Sequence, residues 1–289
     1  MTILQSAIVP GGTTGYNIQR SLRFRSSASA YLSRTPASAG NRQIATWSGW
    51  VKRGLLSSNG YLFSSNDGGS AETYIELSAG DQLNFAIWTG SAYSMQVRTT
   101  QVFRDPSAWY HIVCALDTTQ ATASNRAKIY VNGVQVTALA NSDYPTQNLN
   151  TGWNNTNAHN IGRSAVNAGR YFDGYLTEIN FIDGQALTPS SFGSTNATTG
   201  VWQPAAYTGS YGTNGFYLPF TDNSALTSGS RIVTGKGLLR QRKLLEHEQH
   251  LDHQRVYLRL HDRCADFDEC HASELCGDES VKSNCWNIL

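Results

Sequence analysis

The chain of 289 residues has no long apolar run. Nothing in it approaches the ~18 uninterrupted apolar residues of a membrane-spanning helix, so membrane insertion is not expected. The opening Met1-Thr-Ile-Leu-Gln5 carries neither a basic flank nor a long apolar segment, which predicts a soluble product without a Sec-type signal. Charge of one sign is also missing. With 22 basic and 21 acidic residues the formal net charge is +1, too little to generate a field that would hold nucleic acid or an anionic membrane surface. Proline is scarce, at 7 residues, and cysteine numbers 5, of which Cys114 alone falls in the first 230 positions. A disulfide framework is therefore excluded there. At this length a core can remove about three quarters of the unfolded surface from water without staples. No heptad or collagen-like stalk is present.

Charge is unevenly placed. Residues 1–230 hold 13 basic and 11 acidic side chains, whereas residues 231–289 hold 9 and 10 in a quarter of the length. The terminal region also contains Cys264, Cys270, Cys276 and Cys285 and five of the seven histidines. The shift predicts two regions of different origin.

The first region is rich in Ser, Thr, Gly, Asn and Tyr, with short apolar runs broken by turn residues, a pattern that belongs to β-strands. In Ser21-Leu-Arg-Phe-Arg25, Leu22 and Phe24 share one face and Arg23 and Arg25 the other. The same period of two recurs in about a dozen segments, the spacing of an all-β sandwich or jelly roll. Lys128 to Thr137 reads as a hairpin, because Asn132-Gly133 takes the positive φ angles of a two-residue type I′ turn. Trp109, Ile112 and Cys114 are expected on a buried face, with Cys114 acting as a small hydrophobe. One short helix is expected, with Thr188 as N-cap and Pro189 in the first helical position.

Several ordered motifs carry a resemblance. Trp109-Tyr-His-Ile-Val113, Lys128-Ile-Tyr-Val-Asn-Gly-Val134, Ile161-Gly-Arg163 and Phe172-Asp-Gly-Tyr-Leu-Thr-Glu-Ile-Asn-Phe-Ile-Asp183 together resemble the laminin-G-like domain of the concanavalin A-like lectin and glucanase superfamily. Tyr31-Leu-Ser-Arg-Thr-Pro36, Trp47-Ser-Gly-Trp-Val-Lys-Arg53 and Tyr207 to Leu218 are similar to virion-associated proteins of tailed phages. The resemblance implies an all-β, concanavalin A-like jelly-roll sandwich of two antiparallel sheets. It implies an N-terminal arm at 1–16, the jelly roll at 17–228 and a charged tail at 229–289. It further implies a non-enzymatic virion protein of a tail, fibre or capsid-decorating kind, located in the phage particle, homo-oligomeric there, with other virion proteins and host-surface glycans as partners. Glycoside hydrolysis by the same fold is the alternative, and a secreted bacterial adhesin domain is a third reading that the opening residues disfavour.

Glucanases of the superfamily set carboxylates at alternate positions of one strand, and retaining hydrolysis needs acid and nucleophile about 5 Å apart. Here Glu72 and Glu76 share a face with neutral Tyr74 between them, while Glu178 and Asp183 are at odd spacing and face opposite ways in a regular strand. Catalytic residues are therefore not expected. Ser65-Asn-Asp67-Gly-Gly69 is similar to the start of a sialidase Asp-box but lacks the closing Trp. Sugar binding calls for exposed aromatic faces beside amides and carboxylates. The candidate carbohydrate-binding residues are Trp153, Asn155 and Asn157, in the Asn-rich stretch 148–160, together with Asp67 and Tyr93; the competing reading folds Trp153 back over the sandwich edge. No cofactor is expected. Calcium, held near the ligand rim in laminin-G-like relatives, would look to Asp67 and Asp173.

The tail leaves alternatives open. Leu238 to Leu260 has the features of an amphipathic helix. A zinc site among the four cysteines, His261 and His271 lacks the close ligand pairs that clasp one ion. With permitted codons chosen from Gly237 on, a frame moved by one nucleotide can be written to begin DFSGNGNYWNTNNISITS, which restores the earlier Ser, Thr, Asn and Gly composition; on this reading the tail is expected to be poorly ordered. The nucleotide sequence decides between these.

Overall fold

The computed structural model describes residues 16–167 and 169–220 and the backbone of two further strands at 231–234 and 237–241. Alternating apolar residues lie on the facing sides of two antiparallel sheets, as the period of two requires. One sheet has seven strands, ordered β1 (Leu22–Phe24), β13 (Gly174–Asp183), β3 (Ile44–Arg53), β8 (Tyr110–Asp117), β9 (Ala127–Val131) and β10 (Val134–Gln135), with β16 (Phe216–Leu218) on the other half of β13. The other has nine, ordered β11 (Leu139–Asp143), β7 (Tyr93–Val102), β6 (Gln82–Trp88), β5 (Glu72–Leu77), β4 (Gly60–Asn66), β12 (His159–Ile161), β2 (Leu32–Arg34), β18 (Gly237–Gln241) and β17 (Arg231–Thr234). A two-stranded ribbon, β14 (Gly193–Thr195) and β15 (Trp202–Pro204), completes the set.

The core between the sheets holds Trp47, Val51, Phe63, Phe85, Ile112 and Phe181. Cys114 is buried within it, and desolvation pushes its thiol up in pKa, which silences it as a nucleophile. A second cluster lies on the outer face of the seven-stranded sheet, where Phe192 packs on Val113, Tyr130 and Ile182. At one end of the sandwich Asp81 accepts hydrogen bonds from Arg53 at 2.8 Å, Arg104 at 2.9 Å and the Ser57 N–H at 2.7 Å. Burial works to raise the pKa of Asp81, but these donors outweigh it and hold the carboxyl below its usual value.

The predicted hairpin is present: Asn132 and Gly133 both have positive φ, 48° and 84°, and join β9 to β10. Gly174, after Asp173, has φ 155°, and a Cβ there would strike the Lys52 carbonyl. The short helix after Thr188 is a single 3-10 turn with Pro189 first, and two similar turns occur at Ser26–Ala28 and Ala123–Asn125. Trp109 departs from expectation. It lies three positions before Ile112, an odd offset that places it opposite the core, where it is half-buried beside Tyr175. β13 is not regular either. A bulge between Thr177 and Asn180, with Glu178 at φ 50°, lets Leu176 and Ile179 both face the core despite their odd spacing. Gly237–Gln241 is a strand paired with β2, not the start of a helix; the remainder of the tail, with its cysteines and histidines, and residues 1–15 lie outside the described residues. No helix among the described residues is long and apolar enough to cross a membrane.

Candidate functional site

On β5 the odd positions Thr73, Ile75 and Leu77 point inward, so Glu72, Tyr74 and Glu76 stand on the outer face of the nine-stranded sheet. The register sets Trp88 of β6 opposite Glu72 and Tyr93 of β7 opposite Trp88. These two rings meet edge to face at 5.0 Å, at the mouth of the hairpin turn through Gly90. Tyr61 of β4 lies on Tyr74 at 4.8 Å, and the Tyr74 hydroxyl donates to that of Tyr93 at 3.3 Å. The loop after β12 forms the opposite wall. From it Arg170 donates to the Tyr61 hydroxyl at 2.9 Å, Ser164 donates to Glu72 at 2.7 Å, and the Ala165 N–H also reaches Glu72.

The result is a cleft of about 260 Å³ walled by Tyr61, Tyr74, Trp88, Tyr93, Glu72, Asn167 and Arg170. Tyr93 is 45% exposed and Trp88 half-buried, so ring faces are offered to a ligand beside one carboxylate, one amide and one guanidinium. Burial raises the phenols of Tyr61 and Tyr74 well above the usual tyrosine range, so both remain donors at any physiological pH. Desolvation raises the carboxyl pKa of Glu72 and of Glu76, against hydrogen bonds from Ser164 and Asn84 that work the other way. The arrangement suits a polyhydroxylated ring with an apolar face.

Of the candidate carbohydrate-binding residues, Tyr93 alone belongs to this cleft. Trp153 must be corrected. It is fully buried between the sheets, stacked on Phe85 at 5.1 Å and edge-on to Phe181 at 5.7 Å, and presents no face to solvent. The asparagines around it tie this loop to backbone carbonyls of neighbouring segments. Asn154 donates to the Asn41 carbonyl, and Asn155 donates to the Asn66 carbonyl at 2.7 Å and accepts from the Asn157 N–H. His159 Nε2 accepts from the Asn154 N–H, so Nδ1 carries the proton and donates to the Asn157 carbonyl. Asn155 is thus a buried structural residue, whereas Asn157 is exposed. Asp67 is taken up by Arg42 at 2.6 Å, and Asp173 by Arg23 at 2.7 Å and by Ser26. Both carboxylates are neutralised by guanidinium groups, which does not suit a calcium ligand. Among the described residues no three His, Cys, Asp or Glu side chains cluster as a metal site.

The laminin G family model, described as the concanavalin A-like lectin/glucanases superfamily, matches residues 26–192, more than half of the sequence. The chain belongs to this superfamily. Within concanavalin A-like folds it is similar to a heptameric SAP-like pentraxin from Limulus polyphemus, at 16% identity and TM-score 0.40, over 60% of this chain and 76% of the other. It is similar also to domains LG4-5 of the mouse laminin alpha1 chain, at 12% identity and TM-score 0.43, over 65% of this chain and 48% of the other. Domain 4 of the arabinanase AbnA from Geobacillus stearothermophilus, solved with arabinotriose, aligns at 21% identity and TM-score 0.39, over 54% and 68%. No curated protein matches. A lectin-type fold of this kind allows carbohydrate binding.

Proposed function

We propose that this chain is a non-enzymatic component of a phage virion, in a tail, fibre or capsid-decorating position, which holds host-surface carbohydrate in the cleft around Tyr93. The observation that carries the binding is the pairing of the exposed Tyr93 ring with the half-buried Trp88 ring beside Glu72, Asn167 and Arg170. Sugars present CH faces to aromatic rings and hydroxyls to carboxylate, amide and guanidinium groups, and this cleft supplies both. The particle setting rests on the resemblance of Tyr31–Pro36, Trp47–Arg53 and Tyr207–Leu218 to virion-associated proteins. Partners are other virion proteins, and the assembled form is a homo-oligomer. Purified particles containing the protein, and titration of the isolated chain with host polysaccharide, test the two halves separately. Particles devoid of the protein overturn the first, and absence of any saccharide binding overturns the second.

One observation favours hydrolysis as a second reading: Glu72 and Glu76 share a face of β5, and the charge of Glu72 contributes to raising Glu76. Against it, four residues of extended strand separate their backbones by roughly 13 Å. Both oxygens of Glu72 accept from Ser164, and the Tyr74 ring stands between the two carboxyls. Retaining chemistry needs a separation of about 5 Å with a free nucleophile. Release of reducing ends that is lost in Glu72→Gln would establish this reading.

A further inference from the structure

The outer face of the seven-stranded sheet is covered in two places. Residues 187–211 pack over Val113 and Ile182, and residues 16–21 run across β13 as an exposed strap. Between them lies a cleft of about 410 Å³ that the carbohydrate site on the opposite sheet does not use. Its floor is Trp50 and Thr177, Trp109 and Pro204 stand at its sides, and Asn17, Gln19 and Arg20 of the strap form the remaining wall.

Both the floor and the strap are built in. Trp50 rests on His111 at 5.1 Å, and His111 is itself stacked against Trp202 at 5.8 Å. Trp202 Nε1 donates to His111 Nδ1, so Nε2 carries the proton toward Ser48 and the imidazole is neutral. The strap is pinned at both ends. The Thr177 hydroxyl donates to the Arg20 carbonyl at 2.6 Å, and the Tyr16 hydroxyl donates to Glu178 at 2.7 Å. Tyr217 reaches the same carboxylate at 2.6 Å. Glu178 can meet both phenols because of the bulge, where its left-handed backbone is an uncommon conformation for a residue with a side chain.

We propose that this cleft is a second saccharide site, on the face of the sandwich opposite the Tyr93 cleft. Its two indoles supply the stacking faces for a pyranose ring, and Asn17 and Gln19 of the exposed strap supply polar groups for its hydroxyls. Among the described residues no carboxylate lines it, so neutral and uronic saccharides are both admitted. An extended proline-rich peptide fits less well, because such peptides use long open grooves and this cleft is closed on one side by the strap. Two sites on opposite faces would let one copy bridge two stretches of a surface polysaccharide, and the second contact then forms at high effective concentration.

The inference goes beyond the proposed function and stands without it. The test titrates the full chain with chitohexaose, maltohexaose and hexagalacturonate, with decaproline as a separate arm, in wild type, Trp109→Ala, Gln19→Ala and Tyr93→Ala. Loss in Trp109→Ala and Gln19→Ala with retention in Tyr93→Ala assigns binding to this cleft, and the affinity should fall tenfold or more in Trp109→Ala. Gln19 lies on the exposed strap, so its variant reads the site even where Trp109→Ala fails to fold. Tyr16→Phe, which frees one end of the strap, should weaken the same site several-fold. Equal saccharide affinities in wild type, Gln19→Ala and Trp109→Ala overturn the proposal. So does binding of decaproline alone, or of no hexasaccharide with a Kd below about 10 mM.

Discussion

Replacing Trp153 by Ala separates a sugar platform from a core residue. The indole is fully buried and touches Phe63, Phe85 and Phe181 at ring distances of 5.7, 5.1 and 5.7 Å. Truncation of a buried Trp or Phe to Ala costs about 3–5 kcal/mol, and the aromatic pairs place this site toward the upper end. For a domain of this size each kcal/mol lowers Tm by roughly 2–4 °C, so the expected fall is about 6–20 °C. Trp153→Phe should be much milder. Among the described residues the buried indole N–H has no partner, and removing it relieves a penalty of about 1–3 kcal/mol that offsets part of the lost volume. Urea melts of wild type and both variants measure this directly, alongside saccharide titration of the folded protein. A Trp153→Ala variant that keeps its urea midpoint and loses binding would refute the burial argument and restore Trp153 as a platform.

The acid limb of stability provides a second check. Burial lowers His111 to about 3 and His159 to about 4, so below about pH 6.5 the unfolded chain takes up protons that the folded chain refuses. Stability is then lost progressively as pH falls from 6.5 to 3, on the order of 3–5 kcal/mol per histidine. The carboxyls of Glu72 and Glu76, raised by burial, act in the opposite sense, stabilising at low pH and losing that contribution as pH rises. A flat urea midpoint between pH 7 and 4 would contradict the assignment of both imidazoles as buried and neutral. Asp81→Asn leaves Arg53, only 2% exposed, without its counter-charge and should cost about 3–5 kcal/mol in a denaturant melt, whereas a loss under 1 kcal/mol would mean the pair is hydrated. Gly133→Ala should destabilise by about 1 kcal/mol or more, because φ is positive there and the added Cβ would meet the Trp202 ring, and a neutral result would show that the turn relaxes.

Strand positions are legible because one buried and one open face impose a period of two on each strand, and Asn132-Gly133 announces its turn by the positive φ angles that this pair readily adopts. The errors have local causes. Trp109 lies at the wrong parity for the core, and the polar stretch around Trp153 hides that its asparagines bond the carbonyls of Asn41 and Asn66 while the ring turns inward. The Tyr93 cleft is assembled from β4, β5, β6, β7 and the loop at 164–170, so no short motif contains it. A usable signal existed in the outward row Glu72, Tyr74, Glu76 paired with a hairpin whose two ends are Trp88 and Tyr93. The bulge at Glu178 left no trace in the sequence, since a left-handed backbone at a glutamate is imposed by tertiary contacts to Tyr16 and Tyr217.

Titration of the intact chain with host-surface polysaccharide fragments, in wild type and Tyr93→Ala, bears most directly on whether the nine-stranded sheet holds sugar without cleaving it. The expected result is a Kd between millimolar and micromolar, roughly −4 to −8 kcal/mol, weakened about tenfold in Tyr93→Ala at unchanged Tm, with the saccharide recovered intact. Affinity indifferent to Tyr93, or reducing ends appearing in a Glu72-dependent manner, would contradict it.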